Sequence, residues 1–336
     1  MESSRKSNPE PGHESRHAHV AVCIPFNNRE DTLPFTLNSI INNGYHKSRV
    51  SIVLYDDGST DNSGLIAKDF IKVHGSMYSK VIYGRSTVPS RGNIAKARNG
   101  CFGLARDTQA QYLISVDSDV EMPADAIQGL VDLMEKDRRI GMASVPYTYA
   151  RHSSGAAQAL EVDVTLGCTI LSRELLDRID WKIDERFDKV DDLWLGAQAE
   201  KLGFKIMCHN QSRALHLKPI AYRDHLKKRL FEVPHYHYLL LKEGLLTRRL
   251  KRTYAYYTAW LLSLVFCLAN PALVLIPVAL LVLGGLHYRS LRRFVAALPV
   301  GITMTIGLAL SILRGTLQRP SRFSASPRGA DRPLKQ

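Results

Sequence analysis

Between Tyr112 and Val120 the sequence reads YLISVDSDV: a mostly apolar run that ends in the carboxylates of Asp117 and Asp119. An apolar run closed by paired acids reads as a buried strand carrying charge to the carboxyl edge of a sheet. That edge is where open α/β sheets bind ligands. Two carboxylates this close repel each other unless a cation lies between them. Oxygen ligands suit a hard divalent ion, Mg²⁺ or Mn²⁺, and such ions bring phosphates with them. Read alone, the stretch is equally a solvated turn after a strand. The rest of the chain has to decide.

The pattern repeats. HVAVCIP (19–25) is a Val- and Ile-rich run closed by Pro25, and a polar Asn27-Asn28-Arg29 loop follows it. Leu33, Leu37, Ile40 and Ile41 recur at helical spacing. VSIVLY (50–55) runs into Asp56-Asp57-Gly58-Ser59-Thr60-Asp61, which again sets acids at a strand's carboxyl end. Gly58 permits an unusual backbone angle, and Ser59 or Thr60 could cap a helix. Lys80–Tyr83 is a weak third strand, and residues 92–106 form a small-residue helix carrying Lys96, Arg98 and Arg106. Pro123 starts a helix over roughly 124–135. Strands alternating with helices predict an α/β domain with a parallel, helix-covered sheet. Beyond residue 140 the alternation loosens. A strand at 167–171, a helix from Leu193 to about Leu202, and short strands at 204–207 and 214–217 are expected there.

A formal charge of +13 admits nucleic acid, an anionic membrane or phosphorylated substrates as partners. The basic residues gather around apolar segments, which argues against nucleic acid. Five scattered cysteines without a CxxC pair read as apolar fillers, neither a disulfide frame nor a zinc site. Residues 1–18 are polar and read as a disordered lead-in. Residues 221–253 are basic and aromatic and predict interfacial helices. Two uncharged runs, 255–286 and 294–313, are each long enough at about 20 residues per bilayer crossing to predict transmembrane helices within 254–314. Two crossings are the default, and the first run is interrupted at Asn270-Pro271 and Pro277. The RRLKR flank and the basic tail at 315–336 then place the catalytic part, residues 19–220, on the cytoplasmic side of an integral membrane protein.

In order, VAVCIPFNNRE, IVLYDDGSTDNS, AKARNG, YLISVDSDVEMP and VDDLWLGAQAEKLGF resemble the family two glycosyltransferases with the GT-A fold. The resemblance covers residues 19–217 and implies a Rossmann-like mixed sheet. It also implies a nucleotide-sugar donor bound with Mg²⁺ or Mn²⁺. By the same resemblance the loop Pro25 to Glu30, including Asn28, holds the nucleotide. Asp57, with Asp56 beside it, accepts an N–H from the base. Arg98 and Asn99 face the nucleotide. Asp117 contacts ribose or metal, and Asp119 binds the metal directly. Asp191-Asp192 matches an acid pair whose second member, Asp192, deprotonates the acceptor hydroxyl. The family usually has glutamate where Asp191 stands, which leaves the role of Asp191 open. His216 stands where many metal-dependent members place a ligand to the ion or the diphosphate. Trp194 reads equally as core or as an acceptor platform. The acceptor is expected to be a saccharide or a lipid-linked group such as a polyprenyl phosphate. A nucleotidyltransferase would want a Gly-rich loop that residues 24–32 lack. A non-catalytic membrane scaffold would have no use for four intact acids.

Overall fold

We describe residues 18–148, 165–218, 233–287 and 291–317 of a computed structural model. The chain separates into two compact units that divide near Ala221.

The first unit is built on a seven-stranded sheet. In chain order its elements begin β1 (Val20–Phe26), α1 (Leu33–Ile41), β2 (Val50–Asp56), α2 (Ser63–His74), β3 (Lys80–Arg85), α3 (Ile94–Arg106) and β4 (Tyr112–Val116). They continue with β5 (Val120–Glu121), α4 (Ala126–Lys136), β6 (Ile140–Ser144), β7 (Tyr147–Thr148), β8 (Cys168–Ser172) and α5 (Arg173–Arg178), then α6 (Asp191–Lys201), β9 (Lys205–Cys208) and β10 (Ala214–His216). β1, β2 and β4 are apolar along almost their whole length because both of their faces are covered. Ile24, Ile52, Leu54 and Ile114 are fully buried. Each such side chain contributes on the order of 1.5–3 kcal/mol. α3 starts where Asn93 Oδ1 accepts the Lys96 backbone N–H at 2.9 Å, a cap worth about 1 kcal/mol.

The strand order is β3-β2-β1-β4-β8-β6-β9. β1 to β4 are mutually parallel, as the alternation predicts, but β8 runs antiparallel to both β4 and β6. The sheet is therefore mixed. β1 leads outward through β2 to β3, and α3 then brings the chain back to pair β4 with the other side of β1. Strand order reverses at the β1/β4 junction, the crevice at which open α/β sheets bind ligands. The antiparallel β8 brings its first residues beside the last of β4, with Val116 opposite Cys168. A second, three-stranded sheet of order β5-β10-β7 lies just past the β4 terminus. In it His216 pairs with Val120, and Ala214 with Tyr147.

The second unit contains α7 (Val233–Lys242), α8 (Arg248–Ala269), α9 (Leu275–His287) and α10 (Leu291–Leu317). Here the sequence reading needs correction. The uncharged run 255–286 is not one span. Asn270 caps a 3₁₀ turn over Pro271–Val274 and divides it. α9 has 13 residues, about 20 Å at 1.5 Å per residue against a hydrocarbon core of about 30 Å. α8 begins with Arg248, Arg249, Lys251 and Arg252, and α10 contains Pro299 and has Arg314 in its last turn. Among the described residues no helix is long and apolar enough to cross a membrane. The expected transmembrane region at 254–314 and the integral-membrane placement are withdrawn on that ground. The lead-in before Ala18, the basic stretch from Arg223 to Arg229 and the tail beyond Leu317 lie outside the described residues.

Candidate active site

The carboxyl ends of β1, β2 and β4 carry the acids that the sequence singles out. They sit in different electrostatic states.

At the end of β2 the two adjacent aspartates separate in role. Asp56 is fully buried. Its Oδ1 accepts the Ser59 N–H at 2.7 Å, its Oδ2 accepts the Tyr83 hydroxyl at 2.9 Å, and Arg85 stands 3.4 Å away. These bonds hold the turn in which Gly58 takes φ +77°, with Pro89 against its open side. Asp57 accepts both the N–H, at 2.9 Å, and the hydroxyl of Ser90, while its own N–H donates to Phe26 at 2.8 Å. The β1 loop is tied to the same turn. Asn27 Nδ2 donates to the Asp57 carbonyl, and Asn28 Oδ1 accepts the Thr60 N–H, both at 2.8 Å. Glu30 accepts from the Asn62 amide at 2.9 Å. Pro25, one residue before the end of β1, pairs with Tyr55 of β2.

The centre of the site is Arg98. It projects from α3 with 5% of its side chain exposed. Its Nε donates to Asp191 Oδ2, its Nη1 to Ser115 Oγ and its Nη2 to Asp117 Oδ1, each at 2.7 Å. Burial opposes its charge, and the two carboxylates more than offset that. Arg98 thus fastens the start of α6 to the end of β4. Its neighbour Asn99 exchanges two 2.8 Å bonds with the backbone of Ile183 and pins the chain leading to α6.

Asp191 and Asp192 open α6. Asp191 is buried, and burial raises its carboxyl above the ordinary range while Arg98 pulls it back. Asp192 is half-buried, and its Oδ1 accepts its neighbour's N–H from Leu193 at 2.7 Å. Burial, and then the charge of Asp191, push its carboxyl up to about 7. Trp194, one turn on, is buried against Phe187 with ring centroids 6.5 Å apart.

Past β4, Asp119 retains 14% exposure. Its carboxyl is raised by burial and by Asp117, against His216, Arg29 and Lys218. His216 Nε2 stands 3.8 Å and Arg29 4.0 Å from its two oxygens. Among the described residues no three His, Cys, Asp or Glu side chains form a ready metal cage. Mg²⁺ and Mn²⁺ sites need none where one or two protein ligands are completed by water and substrate phosphates. Asp119, half-buried under the influence of a second carboxylate, with a histidine across from it, fits that requirement. Asp117 has one oxygen committed to Arg98.

The sheet topology therefore gathers Asp117, Asp119, Asp191, Asp192, Arg98 and His216 into one linked cluster. Asp57 joins it through the β1 loop. Ser115, Ser90 and Tyr147 stand in the same cluster and were not singled out from the sequence, and Arg29 entered only as part of the Pro25–Glu30 loop. Ser115 carried a signal, as the lone serine inside the apolar YLISV run.

Residues 21–186 match Glycosyl transferase family 2. The chain carries a family 2 glycosyltransferase domain. The domain is 27% identical over 137 residues to the minor teichoic acid biosynthesis protein GgaA of Bacillus subtilis, covering 40% of this chain and 29% of that protein. It is 31% identical over 108 residues to a poly(ribitol-phosphate) beta-glucosyltransferase of Bacillus spizizenii, covering 32% of this chain and 16% of that protein. The chain thus spans less than a third of either relative. A mannosyltransferase, PcManGT of Pyrobaculum calidifontis, solved with GDP-Man and Mn²⁺, shares the fold at a TM-score of 0.59 and 16% identity, covering 93% of this chain and 91% of that one. The family 2 domain is accordingly the α/β mixed sheet of the GT-A type.

Proposed function

We propose that the protein moves a sugar from a nucleotide-sugar donor to an acceptor hydroxyl by in-line, inverting displacement, with Asp192 as general base. The observation that carries this reading is the unequal state of the two acids opening α6. Asp191 is held as a counter-charge to Arg98, while Asp192 is half-buried with a proton affinity near neutrality. A base must lie near the working pH to take a proton from a hydroxyl efficiently. Asp119 and His216 would hold a divalent ion, which supplies positive charge opposite the departing diphosphate. Asp57 and the Pro25–Glu30 loop take the nucleotide. Asp117 and Arg98 keep the donor loop and the base at fixed spacing.

For the acceptor we propose a hydroxyl on a phosphate-bearing glycan or polyol. Two relatives work on teichoic-acid-type material by name, and a net charge of +13 suits an anionic acceptor. The test incubates the protein and Mn²⁺ with a panel of UDP- and GDP-sugars. It offers poly(ribitol phosphate), a neutral glycan or a polyprenyl phosphate as acceptor. Transfer to the first and not the second supports the acceptor class. Asp192→Asn is expected to bind donor normally and lose turnover about a thousandfold. Wild-type turnover in that variant would remove Asp192 from its role.

A further inference from the structure

Tyr147 lies on β7, in the small sheet beyond β4. Its ring meets that of His216 edge-on at 5.5 Å and 81°. Its hydroxyl is buried; the Thr165 hydroxyl stands beside it, yet neither meets a partner at good hydrogen-bond geometry. A buried phenol normally finds a partner, because leaving a polar group unpaired away from water is unfavourable. Where a folded protein keeps one unpaired beside a charged site, the group is available for a second state.

The neighbouring group is Asp117. A β-carbon placed on Gly167 would stand 1.5 Å from the Tyr147 hydroxyl and 2.4 Å from Asp117 Oδ2. The two oxygens thus face each other across the one residue small enough to let them approach. Gly167 is held there by its carbonyl, which accepts the Asp117 N–H at 3.0 Å. On the other side of the same carboxylate, Oδ1 is fixed by Arg98. Asp117 is clamped at one oxygen, and the other looks at a donor that is not yet used.

We propose that Tyr147 is a positioning residue for Asp117. Its hydroxyl donates to Asp117 Oδ2 in the donor-bound state and holds the carboxylate on two sides while the nucleotide sugar is in place. This rests on the functional reading above. The His216 ring meets the Tyr147 ring edge-on, so the residue touches both the metal-side histidine and the surroundings of the donor-side acid.

The test is Tyr147→Phe, which keeps the ring and removes one oxygen. Its melting temperature is expected to stay level or rise, because the hydroxyl has no partner in the resting protein. Donor KM, measured by Mn²⁺-dependent release of UDP or GDP from the sugar panel, is expected to rise roughly ten- to a hundredfold, the weight of a hydrogen bond to a charged group. Thr165→Val, which removes the hydroxyl beside that of Tyr147, should not raise donor KM. A lowered melting temperature with unchanged KM would make Tyr147 a packing residue and overturn the inference alone. If the wild-type protein binds neither UDP- nor GDP-sugars, the reading of the site and this inference fall together.

Discussion

Arg98→Met removes one charge and leaves a side chain of similar length in its place. Three bonds of 2.7 Å are lost, two of them to carboxylates. Breaking a buried ion pair from one side costs about 3–5 kcal/mol, because the partner stays buried and uncompensated. Against a total stability of about 5–15 kcal/mol that is a large fraction. The pH dependence carries the sharper information. Asp191 has 9% of its side chain exposed, and burial already raises its carboxyl with Arg98 opposing. Without Arg98 the folded protein binds that proton more tightly still, while the unfolded chain keeps an ordinary value of about 3.9. A folded state that holds the extra proton loses stability as pH rises through its own titration. The deficit relative to wild type should therefore be smaller at pH 5 than at pH 8. Equilibrium urea denaturation at both values measures it. Arg98→Lys should recover part of the loss, since one ammonium cannot reach three acceptors set around a planar fork. A loss below about 1 kcal/mol at pH 8, or an equal loss at both pH values, would show that Arg98 does not hold α6 to β4 as described.

Three further outcomes follow from the same cluster. kcat/KM should climb with pH along an acid limb centred near 7, because Asp192 must be unprotonated to act and its carboxyl is pushed up to about 7. Asp191→Asn, by removing the negative neighbour, should move that limb to lower pH in a pH–rate series. Asp119→Ala should lower transfer at least a hundredfold and abolish the response of the residual rate to added Mn²⁺. A variant still activated by the ion would move the metal elsewhere.

The strands and their acids were readable because each depends on a run of neighbouring residues. An apolar stretch closed by carboxylates has one physical reading once helices alternate with it, and β1, β2, β3 and β4 form where the runs lie. What could not be read was which acid does what. Asp56 and Asp57 look alike in DDGSTD, yet Asp56 is spent on Tyr83 and Arg85, residues of the next strand. Arg98 sits on a helix face that the sequence leaves open to solvent or to nucleotide. Its carboxylate acceptors lie 19 and 93 positions away, and only the chain's return to β4 brings them together. β6, with glycine and serine in a five-residue run, and the two-residue strands β5 and β7 are too short to carry periodicity. The membrane expectation failed for a related reason. A hydropathy run records the absence of charge but not where the helix stops, and Asn270 ends α8 before the run is complete.

The doubled aspartate at the start of α6 shows how one backbone position assigns two chemistries. Helix geometry rotates adjacent side chains by about 100°, so two neighbouring acids cannot share an environment. The first turns toward Arg98 and becomes a fixed anion in the core. The second turns toward the half-open edge, where the low-polarity surroundings and the fixed anion beside it both favour holding a proton. Both acids also lie in the first turn of a helix, where the macrodipole favours negative charge and keeps the second from becoming a permanent acid. Asp191 is thus more than a spacer for its neighbour: its charge helps set the pH at which Asp192 can work, and Arg98, by screening that charge, trims the same value downward. An amide at 191 and a neutral side chain at 98 should accordingly move the acid limb of the pH–rate curve in opposite directions. Shifts of the same sign would mean that the two residues act on Asp192 through the position of α6 and not through charge.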